Sequence, residues 1–537
     1  MTNGRLVRVT NAQDCVFANL LERWAREQPD KVFARFFRGP EWTYAETLRS
    51  ARRTANALAG LGVAQGDLVL CWLPNGPDML RVWLGLNLLG AVFVPVNTSY
   101  RGASLEHVLR LTGARLLIGH ELLLDRLRDV ERGNLAAIVS IGEAEPRPIG
   151  DLRVHPQSVL DGGDDSPVVT PRPVEAWDNQ SVIFTSGTTG PSKAVLSSYA
   201  HLHAQSAEAF APFTRDDCYL LFAPMFHCAG TIPVGIALAK GGSVGVIDSF
   251  HPDTFWEAVD AMGCTWSYVV LAMPRLLMKE PPSPADRKHV LRNIIVSGDT
   301  RAFCERYGVR GYAAFNMSEI CTPTFTEHSL DAPGLAMSCG RMRPGIEARI
   351  VDEHDNELSP GQVGELILRT ERPFIFSHGY LNNVEATARA WRNGWFHTGD
   401  LMRVDADGNY FFVDRLKDMI RRRGENISSY EVEAATVRFP AVREAAAVAI
   451  RDDTGDEEVM VAVVLDPDHS YANEALLEHL VGALPHFAVP RYVRVVADFP
   501  RTPTGKILKS GLASEGVTPD TWDRERHGIV LRRQTLT

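Results

Sequence analysis

A chain of 537 residues is too long for a single hydrophobic core, so two or more domains are expected. With 45% hydrophobic and 23% charged residues the composition is that of a soluble globular protein, and a formal net charge of -10 argues against a nucleic acid or an acidic membrane as partner. Eight cysteines are scattered without a CxxC pair, which points to reduced thiols in a cytoplasmic enzyme rather than a zinc site or a disulfide framework.

From the N-terminus onward, residues 1–11 carry no apolar signal region, and 16–28 have the apolar spacing of a helix. Residues 67–72 read as a strand closed by Pro74-Asn75-Gly76. The uncharged run 82–100 is long enough to raise the membrane question, but it contains Asn87, Pro95, Asn97, Thr98 and Ser99. It reads as a buried helix over 79–89 followed by a buried strand over 91–96. Such alternation predicts an α/β fold of parallel sheets covered by helices. Residues 142–180, rich in Gly, Pro and Asp, read as a long surface connection. Strands are then predicted at 181–184, 218–223, 243–247, 266–271 and 293–297. After about Gly340 the texture becomes β-rich, with antiparallel strands over 346–351 and 363–368 around a turn at Asp355-Asn356. A charged stretch, 414–423, precedes a small unit of mixed helix and strand, with strands at 446–450 and 459–465. The expected division is therefore a large N-terminal domain over 1–414, a hinge at 415–417 and a small α+β C-terminal domain over 418–537.

The densest chemical signal is Thr185-Ser186-Gly187-Thr188-Thr189-Gly190-Pro191-Ser192-Lys193, directly after the strand at 181–184. Glycines let the backbone approach an anion, and hydroxyls, amides and the lysine bind its oxygens, so the run reads as a loop for a polyphosphate. Its spacing does not fit the Walker A pattern.

Six further strings follow in order. They are Pro224-Met225-Phe226-His227, Phe315-Asn316-Met317-Ser318-Glu319, Gly394-Trp395-Phe396-His397-Thr398-Gly399-Asp400, Asp414-Arg415-Leu416-Lys417-Asp418 with Arg423-Gly424-Glu425-Asn426-Ile427, and Pro503-Thr504-Gly505-Lys506. Together with the glycine loop they make the chain resemble, over nearly its whole length, the adenylate-forming superfamily of acyl-CoA synthetases, peptide-synthetase adenylation domains and luciferases. Glu280-Pro281-Pro282-Ser283 and Arg422-Arg423-Gly424-Glu425-Asn426-Ile427-Ser428 resemble most the carnitine/crotonobetaine-CoA ligase-like branch.

The resemblance implies ATP, Mg2+ and CoA, and a reaction in which a carboxylate attacks the α-phosphate of ATP. Because both reactants are anions, the site must supply cations, donors and alignment. By resemblance, Thr185, Ser186, Gly187, Thr188, Thr189, Gly190 and Lys193 would hold phosphates. Thr185 and Glu319 would place the metal, which suits magnesium because that ion takes oxygen ligands and bridges phosphates. Gly298, Asp299, Asn316, Met317 and Ser318 would line the nucleotide pocket, although Asp299 departs from the common Gly-Gly-Glu-Ala form. Asp400 would accept the ribose hydroxyls, and Arg415 would contact the nucleotide. Lys506 would offset charge between carboxylate and α-phosphate. Lys417 sits at the hinge position about which the C-terminal domain turns between the two half-reactions. Arg423, Gly424, Glu425 and Asn426 would line the pantetheine path, while Arg421 and Arg422 read equally as CoA-phosphate ligands or as a solvated charge run.

His227 stands where adenylation domains for α-amino acids carry Asp, which argues against such a substrate. His227, Cys228, Val270, Ala314, Phe315 and Cys321 are the expected acyl-pocket residues; mixed in size and mostly uncharged, they do not select one acid. The first reading is therefore an acid–CoA ligase, favoured by the Gly-Glu-Asn loop and the short stretch after Lys506, which leaves no room for a carrier domain. The second is an adenylating enzyme with another acceptor. It would load a carrier protein in trans, or activate nitrite for an aromatic amine as a diazotase. The third is a nucleotide-binding scaffold without turnover, disfavoured by the retention of Lys506, Asp400 and Glu319. The partners implied are small molecules, with no stable membrane association; homodimers are common in the superfamily.

Overall fold

The computed structural model describes residues 8–143, 145, 147–185, 192–270, 273–298, 300–327, 337–422, 425–451, 457–501 and 506–529. The chain divides into two compact units. The first comprises Met1–Gly187, Pro191–Glu347 and Arg369–Gly394, and the second comprises Thr188–Gly190, Ala348–Leu368 and Trp395–Thr537. The expected boundary at 414/415 falls inside the second unit.

Two α/β sheets make up the first unit. One has the order Arg153–Pro156, Ala137–Ile141, Leu116–His120, Leu68–Trp72, Val92–Pro95, Asn179–Phe184 and Ala194–Ser198; all its pairs are parallel except the last. Leu68–Trp72 and Val92–Pro95 are almost wholly apolar and buried, as a parallel strand covered on both faces must be. The stretch 142–180, expected to be a surface connection, contributes the edge strand Arg153–Pro156. The uncharged run forms the helix Pro77–Leu88, buried from Met79 onward, and then the strand Val92–Pro95. Among the described residues no helix is long and apolar enough to cross a membrane.

The other sheet has the order Thr324–Glu327, Arg310–Phe315, Asn293–Val296, Trp266–Val269, Cys218–Leu221, Ser243–Val246, Val32–Phe36 and Glu41–Thr43. Its interior pairs are parallel and both edges are antiparallel. The helix Tyr199–His203 runs into a π turn, Ala204–Glu208, an irregularity that frees carbonyls from the helical ladder. The helix Cys228–Lys240 crosses this turn closely: a Cβ on Gly235 would stand 2.9 Å from Ser206 Oγ.

The second unit is the β-rich and α+β part. In its first sheet Asn409–Arg415 pairs antiparallel with Trp395–Val404, which pairs antiparallel with Gly364–Thr370, with Ile346–Val351 next in order. A hairpin of Ile420–Arg422 with Glu425–Ile427 leads to the helix Ser429–Val437. A four-stranded sheet follows, ordered Val442–Arg451, Glu457–Leu465, Tyr492–Val495 and Trp522–Asp523, with the helices Asn473–Ala483 and Lys509–Glu515. Among the described residues no cysteine forms a disulfide.

Candidate active site

Open parallel sheets present ligand-binding loops at the carboxyl ends of their strands. In the second sheet four neighbouring parallel strands end at Leu221, Val269, Val296 and Phe315. The residues that follow them are the expected ones: His227 and Cys228, Val270, Gly298, and Asn316 through Glu319. Gly298 is in the left-handed region, at φ 73°. Ser186, Gly187, Thr188, Thr189, Gly190, Asp299, Arg423 and Gly424 lie outside the described residues, and Glu425 and Asn426 are located by backbone alone.

His227 caps the helix Cys228–Lys240, its Nδ1 accepting the Ala229 N–H at 3.1 Å. The second ring nitrogen therefore carries the proton in the neutral form. Asn316 Nδ2 lies 4.0 Å from Cys228 Sγ, and Asn316 Oδ1 accepts the Thr322 N–H at 3.1 Å. Val270 and Ala314 are half-buried and Phe315 is buried. Cys321 is fully buried; burial pushes its thiol up to about 11, opposed by the adjacent Arg343 guanidinium.

Glu319 is 7% exposed, and a segment without an expected role holds it. Ser377 N–H donates to the Glu319 carbonyl at 2.9 Å, and Tyr380 Oη donates to Glu319 Oε1 at 2.9 Å. Burial first and then the Glu319 charge hold the Tyr380 phenol far above its ordinary range, so it remains a donor. At the base of the glycine loop Thr185 N–H donates to the Lys193 carbonyl at 2.8 Å. His107 Nε2 is 2.8 Å from the Ser192 carbonyl, which can only accept, so this nitrogen bears the proton. Lys193 Nζ lies 4.7 Å from the centroid of the Tyr380 ring.

Beneath Glu319 a buried polar layer fixes the loop. His201 is fully buried, with Nε2 3.1 Å from the Ile320 carbonyl and Nδ1 3.1 Å from Ser197 Oγ. Burial lowers its pKa to about 4, so the ring is neutral, donating to the carbonyl and accepting from the serine. Gln205 Nε2, in the π turn, donates to the Ile320 and Met317 carbonyls at 2.6 and 3.0 Å. Thr322, a buried β-branched residue at φ 51°, donates from Oγ1 to the Gln205 carbonyl at 2.9 Å. Arg343 donates to the Ala204 and Cys321 carbonyls. Sequence reasoning missed His107, His201, Gln205, Thr322 and Tyr380. Each acts through tertiary contacts, and only the π turn, a local irregularity, marks the neighbourhood.

In the second unit Asp400 is 2% exposed, and its Oδ1 lies 3.1 Å from Arg415 Nε across a directly paired position of two strands. Opposite the single residue Leu366 the strand carries three, Thr398, Gly399 and Asp400, a bulge that re-aims the carboxylate. Glu365 clamps that bulge by accepting from Gly399 N–H and pairing with His397 Nδ1, both at 2.9 Å. Lys417 and Lys506 are exposed. Partial burial lowers the Lys417 pKa, and the nearby charges of Arg415 and Lys506 add to this against Asp418 and Asp400. Arg422 is neither a solvated charge nor an open phosphate ligand. It is buried in an ion pair with Glu458 at 2.7 Å and donates to the Phe487 carbonyl.

The glycine-rich run after a strand, the clamped carboxylate and the distal lysine are the sequence features expected of an adenylate-forming enzyme. The sequence profile of the AMP-binding enzyme family matches residues 21–381, and that of the AMP-binding enzyme C-terminal domain matches 431–506. The chain belongs to the AMP-binding enzyme family. Crotonobetaine/carnitine–CoA ligases of Salmonella typhi and of Escherichia coli O9:H4 are each 30% identical, over 88% of this chain and 93% of theirs. Among solved structures, the anthranilate CoA ligase AuaEII in complex with anthranoyl-AMP aligns with a TM-score of 0.82 at 22% identity, over 96% of this chain and 99% of that one. The o-succinylbenzoate CoA synthetase of Bacillus subtilis in complex with its acyl-adenylate intermediate aligns with a TM-score of 0.79 at 22% identity, over 92% and 97%. These alignments agree with the α/β architecture, its β-rich part and its small C-terminal domain.

Proposed function

We propose that the protein is an AMP-forming acid–CoA ligase. It joins a carboxylic acid to the α-phosphate of ATP with loss of pyrophosphate, then passes the acyl group to the CoA thiol with release of AMP. The observation that carries this reading is the buried Glu319 carboxylate, held on a segment that also pairs with the strand leaving the glycine loop. A buried carboxylate linked through Tyr380 to Lys193 suits a metal–polyphosphate, whereas a scaffold has no use for it.

Lys193 and the loop take the negative charge of the β- and γ-phosphates, and Asp400, paired with Arg415, accepts from the ribose. The carboxylate of Glu319 and the hydroxyl of Thr185 are hard oxygen donors, too few for an all-protein cage. They fit Mg2+, which retains waters and phosphate oxygens and would spread the charge of the polyphosphate. Lys506 faces the charge that builds between acid and α-phosphate. The small domain, 418–537, turns about 415–417 before thioester formation, and 423–426 line the path of the pantetheine. His227, fixed as a helix cap, borders the acyl pocket. Cysteines without a disulfide among the described residues suit a cytoplasmic setting.

The test is product analysis by mass spectrometry with ATP and Mg2+. One arm pairs a carboxylic-acid panel with CoA, and the other pairs nitrite with aromatic amines. Acyl-CoA with AMP and pyrophosphate supports the reading and names the acid. Adenylate without acyl-CoA, or a diazo product, moves the acceptor away from CoA; no ATP consumption in either arm overturns the assignment.

A further inference from the structure

We propose that Tyr380 is a positioning residue that couples the phosphate-loop lysine, Lys193, to the carboxylate of Glu319. The inference rests on the reading above, and it assigns work to a segment that no sequence motif marked out.

The placement begins with the backbone. His378 N–H donates to the Leu196 carbonyl, Leu196 N–H to Gly379 and Leu381 N–H to Ala194, at 2.8 to 3.0 Å. Residues 378–381 thus form a short added strand on Ala194–Ser198, with Tyr380 directly opposite Val195, two residues after Lys193. Gly379 is at φ 100°, and a Cβ there would stand 2.6 Å from Thr387 Cγ2, so only glycine brings the chain this close to the helix Val384–Ala390. Thr387 Oγ1 then accepts the Tyr380 N–H at 3.0 Å. On the other side Ser377 N–H binds the Glu319 carbonyl. Tyr380 is 8% exposed and packs on Val195 and Ala386.

One side chain then serves two charges. The π face of the ring attracts the Lys193 ammonium, and the hydroxyl binds one Glu319 oxygen and stops rotation of the carboxylate. A lysine has four rotatable bonds and a glutamate three, and ordering them on binding costs conformational entropy. Tyr380 removes part of this cost in advance and ties the position of Lys193 to that of the carboxylate.

The two contacts separate by substitution. Tyr380→Phe keeps the ring and deletes the hydroxyl, whereas Tyr380→Leu deletes both. ATP binding is measured by calorimetry on the full chain, once with excess EDTA and once with Mg2+, beside a thermal melt of each variant. With EDTA, Tyr380→Phe should bind ATP as the wild type does, and Tyr380→Leu about threefold more weakly. The gain in affinity on adding Mg2+ should fall about tenfold in both variants. A Tyr380→Phe protein that keeps the full magnesium gain overturns the proposal. So does a Tyr380→Phe protein weakened equally with and without Mg2+, or one that melts well below wild type, since either marks a merely structural residue. A wild-type protein that binds no ATP under either condition refutes the ligase reading itself.

Discussion

His201 offers a stability test whose size follows from burial. The ring is enclosed, its Nε2–H is committed to the Ile320 carbonyl, and its pKa is lowered from 6.5 to about 4. In the unfolded chain the imidazole takes a proton as the pH drops through 6.5, while the folded protein refuses it until about 4. The unfolded state therefore binds more protons in that window. Stability is complete above 6.5 and is lost as pH falls. Carried through the linkage relation, the shift removes about 2 kcal/mol between about pH 7.5 and pH 5, and about 3 kcal/mol near pH 4. His201→Gln keeps a donor and an acceptor but cannot titrate. It should cost about 1 kcal/mol at neutral pH, because Gln205 still satisfies the Ile320 carbonyl. Its loss of stability on acidification should then be smaller than the wild type's by about 2 kcal/mol. Urea unfolding of both proteins, followed by tryptophan fluorescence at about pH 7.5 and pH 5, measures this difference of differences, in which other titrating groups cancel. Equal acid sensitivity in the two proteins would refute the reasoning, because His201 would then be protonated as easily folded as unfolded.

The remaining tests concern the second unit and the chemistry. Arg422→Met removes the ion-pair partner of the Glu458 carboxylate at 2% exposure and should cost about 3 to 5 kcal/mol, seen as a lowered melting transition, with most of it restored in Arg422→Met/Glu458→Leu. Lys509 pairs with Glu433 at 2.6 Å beside Asp414 and Ser429, and burial raises the pKa of both acids. Acids raised on folding subtract stability above their folded pKa and return it as pH falls, so the deficit of Lys509→Met, about 2 kcal/mol by urea unfolding at neutral pH, should shrink toward pH 5. Lys506→Ala should slow adenylation, followed by pyrophosphate release, about a hundredfold or more while sparing thioester formation from preformed adenylate; equal loss in both steps would remove Lys506 from its assigned role.

Local chemistry was the legible part of this chain. The strands that carry site residues at their ends are short runs of apolar residues bounded by turn signals, and such runs announce themselves. The edge strand Arg153–Pro156 did not, because Arg-Val-His-Pro is mostly half-exposed and its pairing with Ala137–Ile141 supplies what its own sequence lacks. Arg422 shows the limit for charges. A run of three arginines reads the same whether water or a carboxylate takes each one, and Glu458, which decides the matter, lies on another strand.

The site itself divides in the same way. Residues expected to touch a ligand stand in recognisable strings because their spacing along one loop is itself the device. Those that hold the loops in place owe their roles to pairs far apart in sequence: Tyr380 to Glu319, His107 to Ser192, His201 to Ile320. Their residue types are unexceptional, and Ser-His-Gly-Tyr-Leu would pass as any turn into a helix. Yet a buried carboxylate cannot remain charged without donors, and a glycine-rich loop has little conformational preference of its own. The chemistry read from the strings therefore demands positioning groups, even though it does not say which ones. The fold supplies them by laying 377–381 against both the strand leaving the loop and the turn that carries Glu319.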